Sequence, residues 1–378
     1  MAKRKFRLPG IQDYTKDQDK VNRLPKEGKF LIVGGPGTGK SVVALQRVFK
    51  YKEEKNYIFL VYNKVLRASA QQLAGGDINT NTWMSWFYKA VLDKTKKGVP
   101  QIRSYVYDYG EIINNLNNLS LKSDPVQVII DEGQDMPQKF YETLRYMRIE
   151  NFFVVADQNQ QITDQNSKKE ELVDALGIDP EDIIELKENF RNTYDVARLS
   201  RHFYTDPSSP APNLPDTSRQ SIGVPLLLEY TDLNNAITRI LREADRNPSI
   251  LIGVIVPTND VLDVYVNALR EIEISLDNPK PLISSYKSGK DVDIDFSKGG
   301  IVVINDMSVK GVEFDSVFIA DIDKFKVYGK DVVSMKKRFY VMVSRAINNV
   351  ILLKNSNNRC EIDELLPTDE KILKRIRS

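Results

Sequence analysis

An apolar segment, Phe30, Leu31, Ile32 and Val33, runs directly into Gly34, Gly35, Pro36, Gly37, Thr38, Gly39, Lys40 and Ser41. These eight residues satisfy GxxxxGK[ST], the pattern of a phosphate-binding loop. It commits the chain to a strand, a tight glycine turn and a helix opening near Ser41, because successive backbone N–H groups must converge on phosphate oxygens at a helix N-terminus. Gly35, Gly37, Thr38 and Gly39 are expected to cradle the phosphates of a nucleoside triphosphate. Lys40 is expected on the β- and γ-phosphate oxygens and Ser41 on Mg²⁺. The loop does not say what hydrolysis is used for, since unrelated activities share it.

Short, almost wholly apolar runs recur at residues 30–33, 57–61, 126–130, 152–155, 250–256, 301–304, 317–322 and 350–353. Many are rich in Val and Ile and bounded by Gly, Asp or Asn, as strands covered on both faces of a parallel sheet are. Helical periodicity fills intervening segments, at 41–51, 137–147, 168–176, 194–203 and 261–272, so the fold class is α/β. The runs divide around residues 177–182, where Gly177 reads as a helix C-cap and Pro180 as a stop. A domain boundary is therefore expected at 180/181, and 378 residues suffice for two domains or three. Residues 206–224, with Pro207, Pro210, Pro212 and Pro215, read as an exposed loop.

A second constellation strengthens the first. Val128, Ile129 and Ile130 lead into Asp131, Glu132, Gly133, Gln134 and Asp135, placing two carboxylates at the carboxyl end of a buried strand, where open α/β sheets bind ligands. Asp131 is expected to hold Mg²⁺ and Glu132 to orient and deprotonate an attacking water. Residues 152–157 repeat the layout, with amides after the strand, and Gln160 is expected to reach the γ-phosphate.

Other chemistries find little purchase. One cysteine, Cys360, and one histidine, His202, leave no internal disulfide, Cys/His metal cluster or histidine-based triad. Lys and Arg total 54 against 52 Asp and Glu, so no global pull toward nucleic acid exists. Basic clusters at residues 3–7, 336–338 and 371–377 are local, and each also fits a solvated face. No apolar run has membrane-spanning length and no leader is visible, so a reducing cytoplasm is the expected compartment. Asp174 or Asp179 with Glu185 and Lys187 loosely fits a metal-nuclease spacing, which is disfavoured because such acidic spacings are common.

Taken in order, these segments resemble superfamily 1 helicases of the UvrD-like branch, from about Tyr14 to Ala346. The resemblance implies two tandem RecA-like P-loop domains, 1–180 and 181–378, that hydrolyse ATP with Mg²⁺. Thr15 to Gln18 looks like the Q motif, which implies that Gln18 reads adenine. DEGQD is similar to DExQD, and Asp157 with Gln160 matches GDxxQ except that Ala156 replaces glycine. Residues 186–191, LKENFR, resemble LxxNYR, implying that Phe190 stacks on adenine and Arg191 touches the γ-phosphate. KGVEF, residues 310–314, implies that Gly311 approaches the phosphates and Glu313 the ribose. YVMVSRA, residues 340–346, makes Arg345 a second arginine finger. Closure of a cleft between the domains would then drive the cycle.

For nucleic acid the resemblance implies Tyr62 and Asn63 in VYNK, and Thr82 and Trp83 in TWMS; the aromatics fit core positions at strand ends equally well. Met84 and Met307 stand where the branch usually has histidine, and residues 162–166 lack its aromatic ring. About 50 residues separate Thr82 from Asp131, room for a small insertion and no large accessory domain. The leading expectation is an ATP-dependent translocase or helicase on single-stranded DNA, more than RNA, with 3′ to 5′ polarity. The alternative is a nucleic-acid-gated ATPase switch that regulates or loads an effector such as a nuclease, without autonomous unwinding.

Overall fold

The computed structural model describes Phe6, Leu8 and residues 14–157, 167–205, 211, 213–217, 223–327 and 331–377. Two compact units emerge, one from Leu8 to Lys187 and one built on Glu188 to Ser378.

The first unit contains, in chain order, α1 (Lys16–Asn22), β1 (Lys29–Gly34), α2 (Lys40–Tyr51), β2 (Tyr57–Val61), α3 (Lys64–Leu73), β3 (Thr80–Thr82), α4 (Trp83–Thr95), β4 (Gln101–Arg103), β5 (Val106–Tyr107), α5 (Tyr109–Asn117), β6 (Asp124–Ile130), α6 (Gln138–Tyr146), β7 (Ile149–Ala156), α7 (Lys169–Leu176) and β8 (Ile183–Leu186). Six of the strands form a parallel sheet in the order β3-β2-β6-β7-β1-β8.

Alternation along each strand supplies two cores. Leu31, Val128, Ile130, Phe152 and Val154 face one way, onto α4 to α7. Phe30, Ile32, Ile129, Phe153 and Val155 face the other, onto α2 and α3. Burial on both faces explains why these strands read as continuous apolar runs.

Because every pairing is parallel, β6, β7 and β1 end side by side at their carboxyl termini. Three polar segments, beginning at Asp131, Asp157 and Gly34, are thereby gathered at one edge of the sheet. The division between units falls after Lys187 rather than at 180, because β8 pairs with β1 through Leu31↔Ile183 to Gly34↔Leu186 and completes the first sheet. Exposed Glu185 stands between half-buried Ile184 and buried Leu186, so no unbroken apolar run announced it.

The second unit contains α8 (Tyr194–His202), β9 (Leu226–Tyr230), α9 (Leu233–Arg246), β10 (Leu251–Val256), α10 (Asn259–Glu271), β11 (Ile283–Tyr286), β12 (Gly300–Asn305), β13 (Phe314–Ile319), α11 (Val332–Ser344), β14 (Ala346–Asn355) and β15 (Lys374–Arg377). Its seven strands are also parallel, ordered β11-β12-β10-β13-β14-β9-β15. Helices α9 and α10 cover Ile252, Val254 and Val256 on one face, while α8 and α11 pack together beside β14. The chain is thus an α/β protein with two RecA-like parallel sheets flanked by helices. Exposed β15 forms one edge and carries Lys374, Arg375 and Arg377, basic residues that discourage edge-to-edge pairing.

Candidate nucleotide site

The loop after β1 is held from within and from α1. Lys40 opens α2, is buried, and its Nζ donates to the carbonyls of Gly34 (2.8 Å) and Gly35 (2.7 Å). Asp157 Oδ2, at the end of β7, lies 3.4 Å from the same ammonium. Thr38 Oγ1 donates to the Gly35 carbonyl at 2.8 Å. Gly39 has φ +87°, and a Cβ there would meet Gln18 Nε2 at 2.3 Å, so both backbone sign and space require glycine.

Gln18 completes a capping box at the start of α1. Thr15 Oγ1 accepts from the Gln18 N–H at 3.1 Å, and Gln18 Oε1 accepts from the Thr15 N–H at 3.2 Å. Its Nε2 then donates to the Thr38 carbonyl at 3.0 Å. Both ends of the amide that the sequence assigned to adenine therefore engage the protein.

At the end of β6, Asp131 and Glu132 are both buried. Asp131 Oδ1 accepts from the Glu132 N–H at 3.0 Å, and the Ser41 hydroxyl lies near enough to the Asp131 carboxylate to favour its charged form. Burial, with the neighbouring Glu132 charge, pushes the Asp131 carboxyl well above the usual carboxylate range, against the opposing pull of Ser41 and Lys40. Ser41 and Asp131 are thus brought together as an alcohol and a carboxylate beside the loop lysine. This all-oxygen donor set fits Mg²⁺, which takes one or two protein ligands and fills the rest with water and phosphate. No cluster of three or more His, Cys, Asp or Glu suited to a metal occurs among the described residues.

Glu132 adopts φ +55°, a left-handed conformation uncommon outside glycine, and leads into the 3-10 turn Gly133–Asp135. Gly133 is required there because a Cβ would lie 2.4 Å from Val154 Cγ1, so the turn can press directly onto β7. Gln134 is fully buried; its Nε2 donates to Glu132 Oε2 at 2.7 Å and its Oε1 accepts from the Asp157 N–H at 2.9 Å. The sequence singled out Glu132 and Asp157 but not this bridge between them, whose partner lies on a different strand. Gln160 lies outside the described residues.

Within the second unit, the Arg191 guanidinium pairs with Glu313 Oε1 and reaches the Ser344 carbonyl at 3.5 Å. Asn189 Oδ1 accepts from the N–H groups of Arg191 (3.1 Å) and Asn192 (3.2 Å), and Asn192 bonds the Ser344 and Ala346 carbonyls. The segments carrying Arg191, Glu313 and Arg345 therefore meet at one place. Asn192, which the motif reading passed over, stitches them together. Phe190 is half-buried, Gly311 takes φ +78°, and Arg345 is 2% exposed with Nε donating to the Val341 carbonyl at 3.3 Å.

The residues proposed for nucleic acid are placed differently. Trp83 is a core side chain, edge-on to Phe140 with centroids 5.2 Å apart, so burial takes the ring that a base would need. Tyr62 is half-buried against the same core, and burial with the Asp135 charge pushes its phenol up to about 12. Asn63 caps α3, its Oδ1 accepting from the Leu66 N–H at 2.8 Å. Thr82 precedes α4 and is partly exposed. Asp174, Asp179, Glu185 and Lys187 are exposed, and Lys187 reaches only Glu185, at 3.9 Å. In the basic cluster at 336–338, Arg338 is engaged by buried Asp306, with Nε to Oδ2 at 2.7 Å.

The sequence model of the family described as Schlafen group 3, DNA/RNA helicase domain, matches residues 28–239 of the 378. The chain belongs to that family. The Schlafen group 3 match takes in the phosphate loop, the acidic turn and the segment from β8 to α9, and a helicase-like, nucleic-acid-directed character comes with it. Among solved structures, the C-terminal domain of a possible DNA helicase from Lactobacillus plantarun WCFS1 is 12% identical, covering 49% of this chain and 98% of that one with a TM-score of 0.35. No curated protein matches. No helix among the described residues is long and apolar enough to cross a membrane.

Proposed function

We propose that this Schlafen group 3 helicase domain is a Mg²⁺-dependent ATP hydrolase whose turnover is coupled to single-stranded nucleic acid. The observation that carries this reading is the meeting of Lys40, the Ser41–Asp131 pair and the Glu132–Gln134–Asp157 chain at the carboxyl ends of three adjacent parallel strands. Gly35, Gly37, Thr38 and Gly39 would present backbone N–H groups to the phosphates, and Lys40 would neutralise the β- and γ-phosphate oxygens. Ser41 and Asp131 would hold Mg²⁺, which when bound withdraws charge from the phosphate oxygens. Glu132 would accept the proton of the attacking water and Gln18 would brace the loop. Arg191 and Arg345 carry the phosphate-contacting roles, and Gln160 the γ-phosphate contact, by the motif resemblance.

Translocation along single-stranded DNA in the 3′ to 5′ sense is the activity proposed for the coupled cycle, following the UvrD-like, superfamily 1 resemblance. The test is the ATPase rate with and without single-stranded DNA or RNA; stimulation by at least one is expected, and no stimulation by either refutes the coupling. The burial of Trp83 favours a second reading, an ATPase switch that controls an effector such as a nuclease without unwinding duplexes itself. Nucleic-acid-stimulated hydrolysis with no strand separation by the isolated chain would select it.

A further inference from the structure

Gln134 occupies a position in which its amide has only one way to lie. The Asp157 backbone N–H is solely a donor, so it must face Oε1, which turns the amide N–H₂ toward Glu132 Oε2. The side chain is fully buried, and the turn that bears it is fixed on three further sides. Tyr141 OH donates to the Gly133 carbonyl at 2.6 Å, the Ser167 N–H donates to the Gln134 carbonyl at 2.9 Å, and Ser167 Oγ donates to the Met136 carbonyl at 2.6 Å.

We infer that Gln134 is a positioning residue for hydrolysis, holding one oxygen of Glu132 so that the carboxylate presents its other oxygen in a single orientation. The inference rests on the proposed role of Glu132 as base. A carboxylate on a flexible side chain samples many rotamers, and a base acts only when its oxygen lies within hydrogen-bond reach of the water it deprotonates. Gln134 removes that freedom through a rigid donor anchored to the backbone of β7's end. Asp157, whose Oδ2 faces Lys40, thereby links the base and the phosphate-loop lysine through one residue. The same amide would be merely structural if it served only to satisfy the Asp157 N–H, and this is the distinction to be tested.

The test compares Gln134→Met, close in shape but lacking both hydrogen bonds, with Gln134→Glu, which keeps an acceptor for the Asp157 N–H and replaces the amide donor. Steady-state ATP hydrolysis is measured for each, and for Gln134→Met placed in a Glu132→Gln background. Expected is a fall in kcat of at least about 10-fold in both single variants, with KM for ATP changed less than about twofold. In the Glu132→Gln background the added substitution should leave the residual kcat within about twofold, because the group it positions is already gone. Wild-type kcat in either folded single variant overturns the inference, as does a loss of equal size in the Glu132→Gln background. If Gln134→Met does not fold, Gln134→Glu decides alone through its kcat and KM. Full turnover in Glu132→Gln itself would instead remove the base assignment, and this inference with it.

Discussion

Gln18 Nε2 donates to the carbonyl oxygen of Thr38 at 3.0 Å, so the residue that closes the capping box of α1 also braces the phosphate loop. The adjacent Gly39 leaves room for this contact, because a Cβ there would lie 2.3 Å from the same nitrogen. Gln18→Ala removes the brace and half of the capping box, at a cost of about 1 kcal/mol in stability. It should weaken ATP and GTP binding by similar factors, since what is lost is loop order rather than a contact to the base. Titration of a fluorescent analogue of each nucleotide checks this. A loss confined to ATP would show the amide turning to the adenine instead.

Lys40→Ala and Glu132→Gln should separate binding from chemistry. Lys40 sits among the carbonyls of Gly34 and Gly35 beside Asp157, and its removal deletes the loop's charge for the phosphates. ATP binding and turnover are both expected to collapse. Glu132→Gln keeps the shape of the turn and should retain nucleotide affinity while kcat falls by about 10²- to 10⁴-fold. Equilibrium binding and phosphate release, measured on the same preparations, distinguish the two patterns.

Arg47 yields a stability prediction that bears on the same loop. Buried in α2, its guanidinium donates to the carbonyls of Leu24, Pro25 and Lys26 and lies 5.2 to 5.6 Å from the ring centroids of Phe153, Phe30 and Tyr51. It ties the chain between α1 and β1 to the helix that begins the loop. A lysine at this site has a single charged point in place of a planar fork, so Arg47→Lys should cost about 2 kcal/mol. Urea unfolding is the measurement, and an unchanged midpoint would refute the argument.

Trp83 shows what sequence could and could not disclose. The phosphate loop, the acidic turn and the strands β1, β2, β6, β7, β10, β12, β13 and β14 were legible because each is a local pattern: a fixed glycine spacing or an apolar run. The edge strands β8 and β11 were not, since both are four residues long, IIEL broken by a glutamate and ISSY by two serines, and are strands only through their neighbours β1 and β12. The Gln134 bridge was equally hidden, because its meaning depends on where β7 ends. Trp83 sits at a strand end where an aromatic suits either a base or a core; Phe140, on a helix much later in the chain, decides for the core. Trp83→Ala should therefore destabilise the first unit by about 3–5 kcal/mol. Nucleic-acid affinity of the folded fraction should remain unchanged, and denaturation combined with filter binding measures both.

Arg191 provides the sharpest test of the second unit. Its pair with Glu313 is partly exposed, with side chains 15% and 39% accessible, so the ion pair itself contributes no more than about 1 kcal/mol to folding. The Asn189–Asn192 hydrogen bonds, which hold the backbone on either side of it, do not need the guanidinium. Arg191→Ala should leave the melting temperature nearly unchanged, so a change in rate reports on chemistry rather than on folding. If Arg191 stabilises the developing charge on the γ-phosphate, kcat should fall by about 10³-fold or more. The affinity for a non-hydrolysable ATP analogue should move far less. Equal losses in kcat and affinity would assign Arg191 to ground-state binding, and an unaltered kcat would leave the Arg191–Glu313 pair a structural contact only.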